Sequence, residues 1–246
     1  MPGEGSVDPA PANEPDDRYL DGQYATDNAG WHDEDAAWKA GKILDLLRAK
    51  GLRPATVCDI GCGTGGVLAN LAPGLPGAAM TGFELSPQAV GLARRLHPEI
   101  DVRQGSAVDA ADAGERFDLA VMCDVFEHVD DYLGFLGRTK ALARHHVFHI
   151  PLDMSALGVV RERPILQARE RLGHLHYFSA GTAVATLEGL GYRVVGSAYT
   201  AGAVELAAPS FKRRLASVPR RLAGKLSPAL AARLLGGYSL LVLTEA

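Results

Sequence analysis

The residues best suited to chemistry stand in one short run, Val57-Cys58-Asp59-Ile60-Gly61-Cys62-Gly63-Thr64-Gly65-Gly66. Glycines at this spacing let a backbone turn tightly and come close to a ligand. Read as Gly61, Gly63 and Gly66 they satisfy the dinucleotide pattern G-x-G-x-x-G, which by itself is a weak signal. Asp59, two residues ahead of the first glycine, favours a cationic ligand and would sit badly beside a pyrophosphate. Glu84 closes the next apolar run, Gly82-Phe83-Glu84, where a carboxylate can accept hydrogen bonds from both hydroxyls of a ribose. A ribose-bearing ligand with a positive end therefore suits these residues better than one with phosphates. Proton transfer near neutral pH would fall to histidine. The candidates are His128, in Asp124-Val125-Phe126-Glu127-His128, His149 beside Pro151, and His174 and His176 further on.

These residues need strand ends and turns to hold them, and the hydrophobic pattern supplies such elements. Apolar runs at Thr56–Ile60, Ala79–Phe83, Phe117–Met122, His146–Ile150, Tyr192–Val195 and Ser239–Leu243 read as strands, with a short one before Gly105. Helical stretches lie between them. Ala36, Trp38, Ile43, Leu44, Leu46 and Leu47 fall at helical spacing from Asp33 to Ala49, and Gly51 closes that helix. Ser86-Pro87 announces another helix, an N-cap followed by proline at the first helical position. A further helix runs from about Ser179 to Leu190 and stops at Gly191. Strands alternating with helices predict an α/β fold, one mostly parallel sheet covered on both faces, with no internal repeat.

The segment VCDIGCGTGG, with Glu84 after the second strand and FDLAVMCDVFEHVDD over Phe117–Asp131, resembles the class I S-adenosylmethionine-dependent methyltransferases. More narrowly it is similar to small bacterial members with an EHV turn and a late turn like Gly173-His174-Leu175-His176-Tyr177-Phe178-Ser179. The resemblance covers roughly residues 35–200 and implies a Rossmann-like sheet of seven strands. It implies that Asp59 through Gly65, including Gly61 and Gly63, line the methionine portion of S-adenosylmethionine and that Glu84 holds the ribose. Leu85 and the pair Ser106-Ala107 would flank the adenine, and Asp124 with Val125 would face the methionine ammonium. Where family members often place an acid for the adenine amine this chain has Ser106, with Asp109 slightly later.

Methyl transfer from a sulfonium is an in-line displacement in which positioning alone can supply up to about 7–11 kcal/mol. A general base is needed only if the acceptor must lose a proton, as a hydroxyl must. His128, His174 and His176 are the candidates, and oxygen is slightly favoured over nitrogen as the acceptor. No metal site is expected, since no H-x-x-x-H helix or cysteine partner accompanies the histidines. Cys58, Cys62 and Cys123 read as small buried hydrophobes. The Asn/Asp-Pro-Pro-aromatic turn of enzymes that methylate amino groups of nucleic acids or protein amides is replaced by Cys123-Asp124-Val125-Phe126, which favours a small-molecule acceptor.

The 246 residues carry a net charge of −4, which argues against a nucleic-acid partner. Three cysteines make no disulfide framework, and neither a signal peptide nor a membrane span is legible, so a cytoplasmic protein is expected. Residues 1–18, acidic and proline-rich, predict a disordered tail ahead of a methyltransferase domain over 19–246. Segments around 19–33, 152–178 and 200–236 predict a cover over the acceptor. Residues 211–236 hold seven cations and no acid, with Phe211, Leu215, Val218, Leu222, Leu226, Leu230 and Leu234 at near-helical spacing. Such a stretch permits peripheral membrane contact and a lipid-linked acceptor. A nicotinamide-dependent enzyme and a silent binding protein remain alternatives, and the oligomeric state is open.

Overall fold

The computed structural model describes residues 33–206 and 220–246. The expected acidic tail, the 19–33 cover and most of the basic stretch before Arg220 lie outside these residues. Seven strands form one sheet: β1 (Thr56–Ile60), β2 (Ala79–Glu84), β3 (Asp101–Gln104), β4 (Phe117–Cys123), β5 (Ala143–Pro151), β6 (Arg193–Thr200) and β7 (Ser239–Glu245). Their order is β3-β2-β1-β4-β5-β7-β6, and only β7 runs antiparallel, to both β5 and β6. The order reverses at β1, which pairs in parallel with β2 on one side and β4 on the other. In such sheets the crevice beyond the carboxyl ends of the strands at this reversal is where ligands bind.

The helices are α1 (Asp33–Ala49), α2 (Gly66–Leu71), α3 (Pro87–Leu96), α4 (Ala107–Asp112), α5 (Tyr132–Thr139), α6 (Ala156–Arg161), α7 (Arg163–Gln167), α8 (Ala180–Gly189), α9 (Gly202–Glu205) and α10 (Pro228–Leu235). Ser86 caps α3, its hydroxyl accepting from Ala89 N at 3.4 Å. Ser179 and Thr182 form a reciprocal capping box at α8, which ends where Gly191 turns at φ +80°. One core, around Phe126, Phe148, Leu142 and Leu187, packs one set of elements on the sheet. A second core, around Ile43, Leu47, Leu68 and Leu71, packs another.

Several strand boundaries differ from the sequence reading: β4 ends at Cys123, β5 spans Ala143–Pro151 and β7 ends at Glu245. β6 runs on to Thr200, because Ser197, Ala198, Tyr199 and Thr200 pair with β7 through backbone groups. A polar edge strand carries no apolar signal for that extension. The second strand ends on Glu84, as the run Gly82-Phe83-Glu84 implies, so the sheet places its backbone.

Candidate functional site

The glycine loop joins β1 to α2. The backbone N–H groups of Gly61 and Cys62 both donate to Phe83 O, at 2.9 and 3.1 Å, folding the loop over the end of β2. Gly61 has φ +73°, and a Cβ there would meet Val125 Cγ2 at 2.8 Å, so Val125 packs on a bare backbone. Gly63 and Gly65 also have positive φ, 55° and 82°. Few side chains tolerate this conformation. Glu84 accepts from Gly63 N at 3.0 Å and from Ser86 N at 2.8 Å. The strand end and the loop thus hold its carboxylate by both oxygens. Burial holds its pKa above the ordinary value, against the downward pull of these backbone donors.

Asp59 is 2% exposed, and its Oδ1 has no hydrogen-bond partner. Burial first, then repulsion from Glu84, pushes its pKa up to about 8 against the pull of Lys39. A buried carboxyl of this kind gains from a cation placed against it. The orphaned Asp59 oxygen, the anchored Glu84 and the positive-φ glycines together fit a cationic nucleoside. Leu85 follows Glu84 in a half-buried bend. Ser106 spends its hydroxyl on capping α4, accepting from Val108 N at 3.1 Å, beside buried Ala107. Asp109 stands exposed on that helix.

Asp124, one residue past β4, has φ 55°, left-handed for a non-glycine residue. Its carboxylate is already paired, 2.8 Å from Lys39 Nζ and 2.9 Å from His149 Nδ1. Burial would raise its pKa, but His149 and Lys39 together drive it well below the ordinary range. Lys39 also reaches Asp35, at 3.1 Å. His149 Nε2 lies 3.0 Å from Thr200 Oγ1. The expected acidic face for an ammonium therefore holds an internal ammonium. Lys39 was overlooked by the sequence reading. Its signal is a lysine inside the apolar stripe Ala36, Ala40, Ile43, Leu47 of α1.

The three candidate bases divide. His174 is buried, and its Nδ1 lies 2.6 Å from Asp153 Oδ2. His128 lies beside it, ring centroids 5.0 Å apart and nearly perpendicular, with its Nδ1 3.2 Å from Gly173 O. His176 points elsewhere: its Nε2 is 2.9 Å from Val129 O, and its ring rests on Tyr132 at 4.4 Å. The sequence reading also passed over Glu127. Its side chain is fully buried, neither carboxyl oxygen has a hydrogen-bond partner, and Oε1 lies 3.9 Å from His128 Nε2. Burial, then repulsion from Asp124 and Asp153, holds its pKa well above the ordinary range. Glu127, His128 and His174 each bring a ligand atom within 4.8 Å of the others, a spacing that could hold a divalent cation. No single run of sequence announces this trio, because backbone bonds from Leu175 N and His176 N to Glu127 O bring the late turn onto β4's exit. His146 serves packing, buried against Phe148 and Tyr192. Cys58 and Cys62 are buried and Cys123 partly so. Burial pushes all three thiols up, away from nucleophilic thiolate.

The family described as "Methyltransferase domain" matches residues 31–197. Among curated proteins, the ubiquinone biosynthesis O-methyltransferase of Azorhizobium caulinodans is 43% identical over 97 residues, 38% of this chain and 36% of that protein. The protein of the same name from Actinobacillus pleuropneumoniae serotype 5b is 33% identical over 132 residues, 47% of this chain and 56% of that protein. The chain thus spans between about a third and just over half of these relatives. Among solved structures, a SAM-dependent methyltransferase from Archaeoglobus fulgidus superposes with a TM-score of 0.56 at 18% identity, covering 84% of this chain and 94% of that one. The N-methyltransferase NodS from Bradyrhizobium japonicum, in complex with S-adenosyl-L-homocysteine, gives 0.53 at 17% identity, covering 83% and 84%. At these identities the structural likeness speaks for the fold.

Proposed function

The chain belongs to the methyltransferase-domain family and is a class I S-adenosylmethionine-dependent methyltransferase, and on that premise we propose that it methylates a hydroxyl of a small-molecule acceptor. The observation that carries this reading is the His174–Asp153 contact of 2.6 Å, placed after β5 with His128 beside it. The O-methyltransferase names of the relatives support the same acceptor atom.

S-adenosylmethionine supplies a methyl group on a sulfonium whose leaving group is neutral. Glu84 would hold the ribose hydroxyls, and Asp59, Gly61, Gly63 and Gly65 the methionine portion. Leu85, Ser106 and Ala107 would border the adenine. Asp124 and Val125 would shape the wall toward the acceptor, with Lys39 keeping Asp124 ionised. With Asp153 accepting from Nδ1–H, the other nitrogen of His174 keeps its lone pair. His174 takes the hydroxyl proton as the acceptor oxygen forms its new bond to carbon, and Asp153 stabilises the resulting imidazolium. His128 borders that imidazole, while His176 fixes the turn through Val129 and Asp130.

The test has two stages. Incubation with labelled cofactor and a small-molecule extract, followed by mass spectrometry, should reveal a product heavier by one CH2 and oxygen-linked. With that acceptor in hand, His174→Ala and Asp153→Asn should each lower kcat by roughly 10²–10⁴, with S-adenosylhomocysteine binding unchanged. Undiminished kcat in both variants, or a nitrogen-linked product, would overturn the reading. The Glu127 oxygens, buried without hydrogen bonds, favour a second way to activate the hydroxyl, a divalent cation on the Glu127–His128–His174 trio. In that case chelator would abolish turnover and Mn2+ would restore it.

A further inference from the structure

We infer that the face built from residues 156–172 and 220–235 docks on an anionic membrane surface, a property beyond the methyl-transfer reading. Twelve large apolar side chains stand exposed among the described residues, and eight of them fall in these two segments. Val159, Val160, Leu166 and Leu172 belong to the first. Leu222, Leu226, Leu230 and Leu234 belong to the second. Val160 is 82% exposed and Leu226 90%. Scattered exposed leucines are ordinary, but a cluster of this kind calls for a partner.

The two segments adjoin each other. A cavity of about 260 Å³ lies between them, lined by Leu157 and Arg161 of α6, Pro164 of α7, and Arg220 and Leu235 from the second segment. Arg220 donates to Leu235 O and Gly236 O, tying the helical turn at 220–226 to the end of α10. Ser227 caps α10, so the described part of the basic stretch, residues 220–236, is broken between the helical turn at 220–226 and α10. Within each, the apolar pair is four residues apart, Leu222 with Leu226 and Leu230 with Leu234, and so shares a face.

Charge settles the occupant. Arg161, Arg163, Arg169 and Arg171 are exposed in the first segment, and Arg221, Lys225 and Arg233 in the second. Glu162 and Glu170 are the only acids in either. A chain of net charge −4 thus gathers cations around the segments that hold eight of the twelve exposed large apolar side chains among the described residues. Leucines ringed by arginines complement anionic headgroups over an acyl layer. No helix among the described residues is long and apolar enough to cross a membrane, so this face would lie on the surface. Asp153, the partner of His174, also lines the cavity between the segments. Docking would therefore set the acceptor side of the site against the bilayer.

The test is flotation of the full chain with vesicles of phosphatidylcholine alone or mixed equally with phosphatidylglycerol. Binding should be at least about tenfold stronger to the anionic vesicles and should weaken with salt. Val160→Asp with Leu226→Asp should abolish it, both positions being too exposed to matter for folding. Leu96→Asp, equally a solvent-facing leucine but on α3, should leave it intact. Thermal stabilisation by S-adenosylhomocysteine should persist in every variant, which separates loss of docking from loss of the methyltransferase site. No binding to anionic vesicles at low salt, or binding unaffected by the double variant, would overturn the inference.

Discussion

On the β1–β2 side of the crevice the site consists of backbone and two carboxylates: glycine N–H groups, Glu84 held by Gly63 and Ser86, and Asp59 beneath them. On the β4–β5 side it consists of side-chain pairs gathered from separate stretches: Lys39 with Asp124, Asp124 with His149, Asp153 with His174. The first side is preorganised by local chain geometry. The second depends on α1, the exits of two strands and a late turn meeting in space. A cofactor common to the family needs a fixed cradle, while an acceptor is chosen by whatever the long-range contacts assemble. Variants on one side should therefore report on cofactor affinity alone, and variants on the other on turnover alone.

The largest effect expected of this division is at Glu84. Glu84→Ala removes the carboxylate proposed for the ribose and also frees Gly63 N and Ser86 N. Two charge-assisted bonds at about 2 kcal/mol each amount to roughly a thousandfold in Kd for S-adenosylhomocysteine, read by calorimetry. Asp153→Asn should leave that Kd unchanged. Equal losses in both would erase the distinction between the two sides.

Next comes a comparison of two buried histidines on the β4–β5 side. His174 has a carboxylate partner, whereas His146 has only the Thr139 carbonyl, at 3.3 Å. Burial pushes the His146 pKa down to about 4. Its folded pKa lies below the unfolded value near 6.5, so its contribution is intact above that pH and is lost as pH falls toward 4. The loss across this window is about 3 kcal/mol. Urea unfolding at pH 7 and pH 4 should show His146→Phe less acid-sensitive than the parent by this margin.

These two histidines also show where sequence reasoning reaches its limit. The strands, the capped helices and the glycine loop were legible because each depends on neighbours in the chain: Ser86-Pro87 for α3, alternating apolar runs for β1 to β5. Glu84 was legible for the same reason, being the last residue of a strand that follows the loop. His128, His174 and His176 were equal candidates by type, and only tertiary contact separates them. His174 finds Asp153 across 21 residues and His176 finds the backbone of Val129 across 47. Lys39 and Glu127 were missed because a charged residue in an apolar stretch reads as exposed until its partners, or their absence, are known. The Asp124 pairing likewise required α1 to cross the end of β4.

A gentler effect on the cofactor side concerns Asp59. With its pKa near 8, the free protein carries a proton there at neutral pH. A cationic ligand against this carboxyl favours the ionised form, so binding below pH 8 should release one proton. Affinity for S-adenosylmethionine should then fall about tenfold for each pH unit below 8. In Asp59→Asn this slope should disappear. The same substitution should raise the stability of the free protein around pH 7, because a raised carboxyl pKa means stability lost as pH rises from about 4 to 8. Calorimetry in two buffers of different ionisation enthalpy measures the proton directly, and no proton release would place the positive end of the cofactor away from Asp59.

The smallest effect probes whether the two sides communicate through α1. Glu205 of α9 accepts from Trp38 Nε1 at 2.8 Å and pairs with Lys42 Nζ at 2.7 Å, one residue before and three after the buried Lys39. These contacts are partly exposed, and such pairs are worth about 1 kcal/mol or less. Glu205→Gln should lower the unfolding free energy by no more than that and leave both Kd and kcat within about twofold. Lys39 is held from inside, by Asp124 and Asp35, so loosening the outer contacts should not move it. If Glu205→Gln instead shifted cofactor affinity by tenfold, α1 would be a coupling element. The cradle for the cofactor and the assembly around the acceptor would then be one cooperative unit rather than two independently built sides.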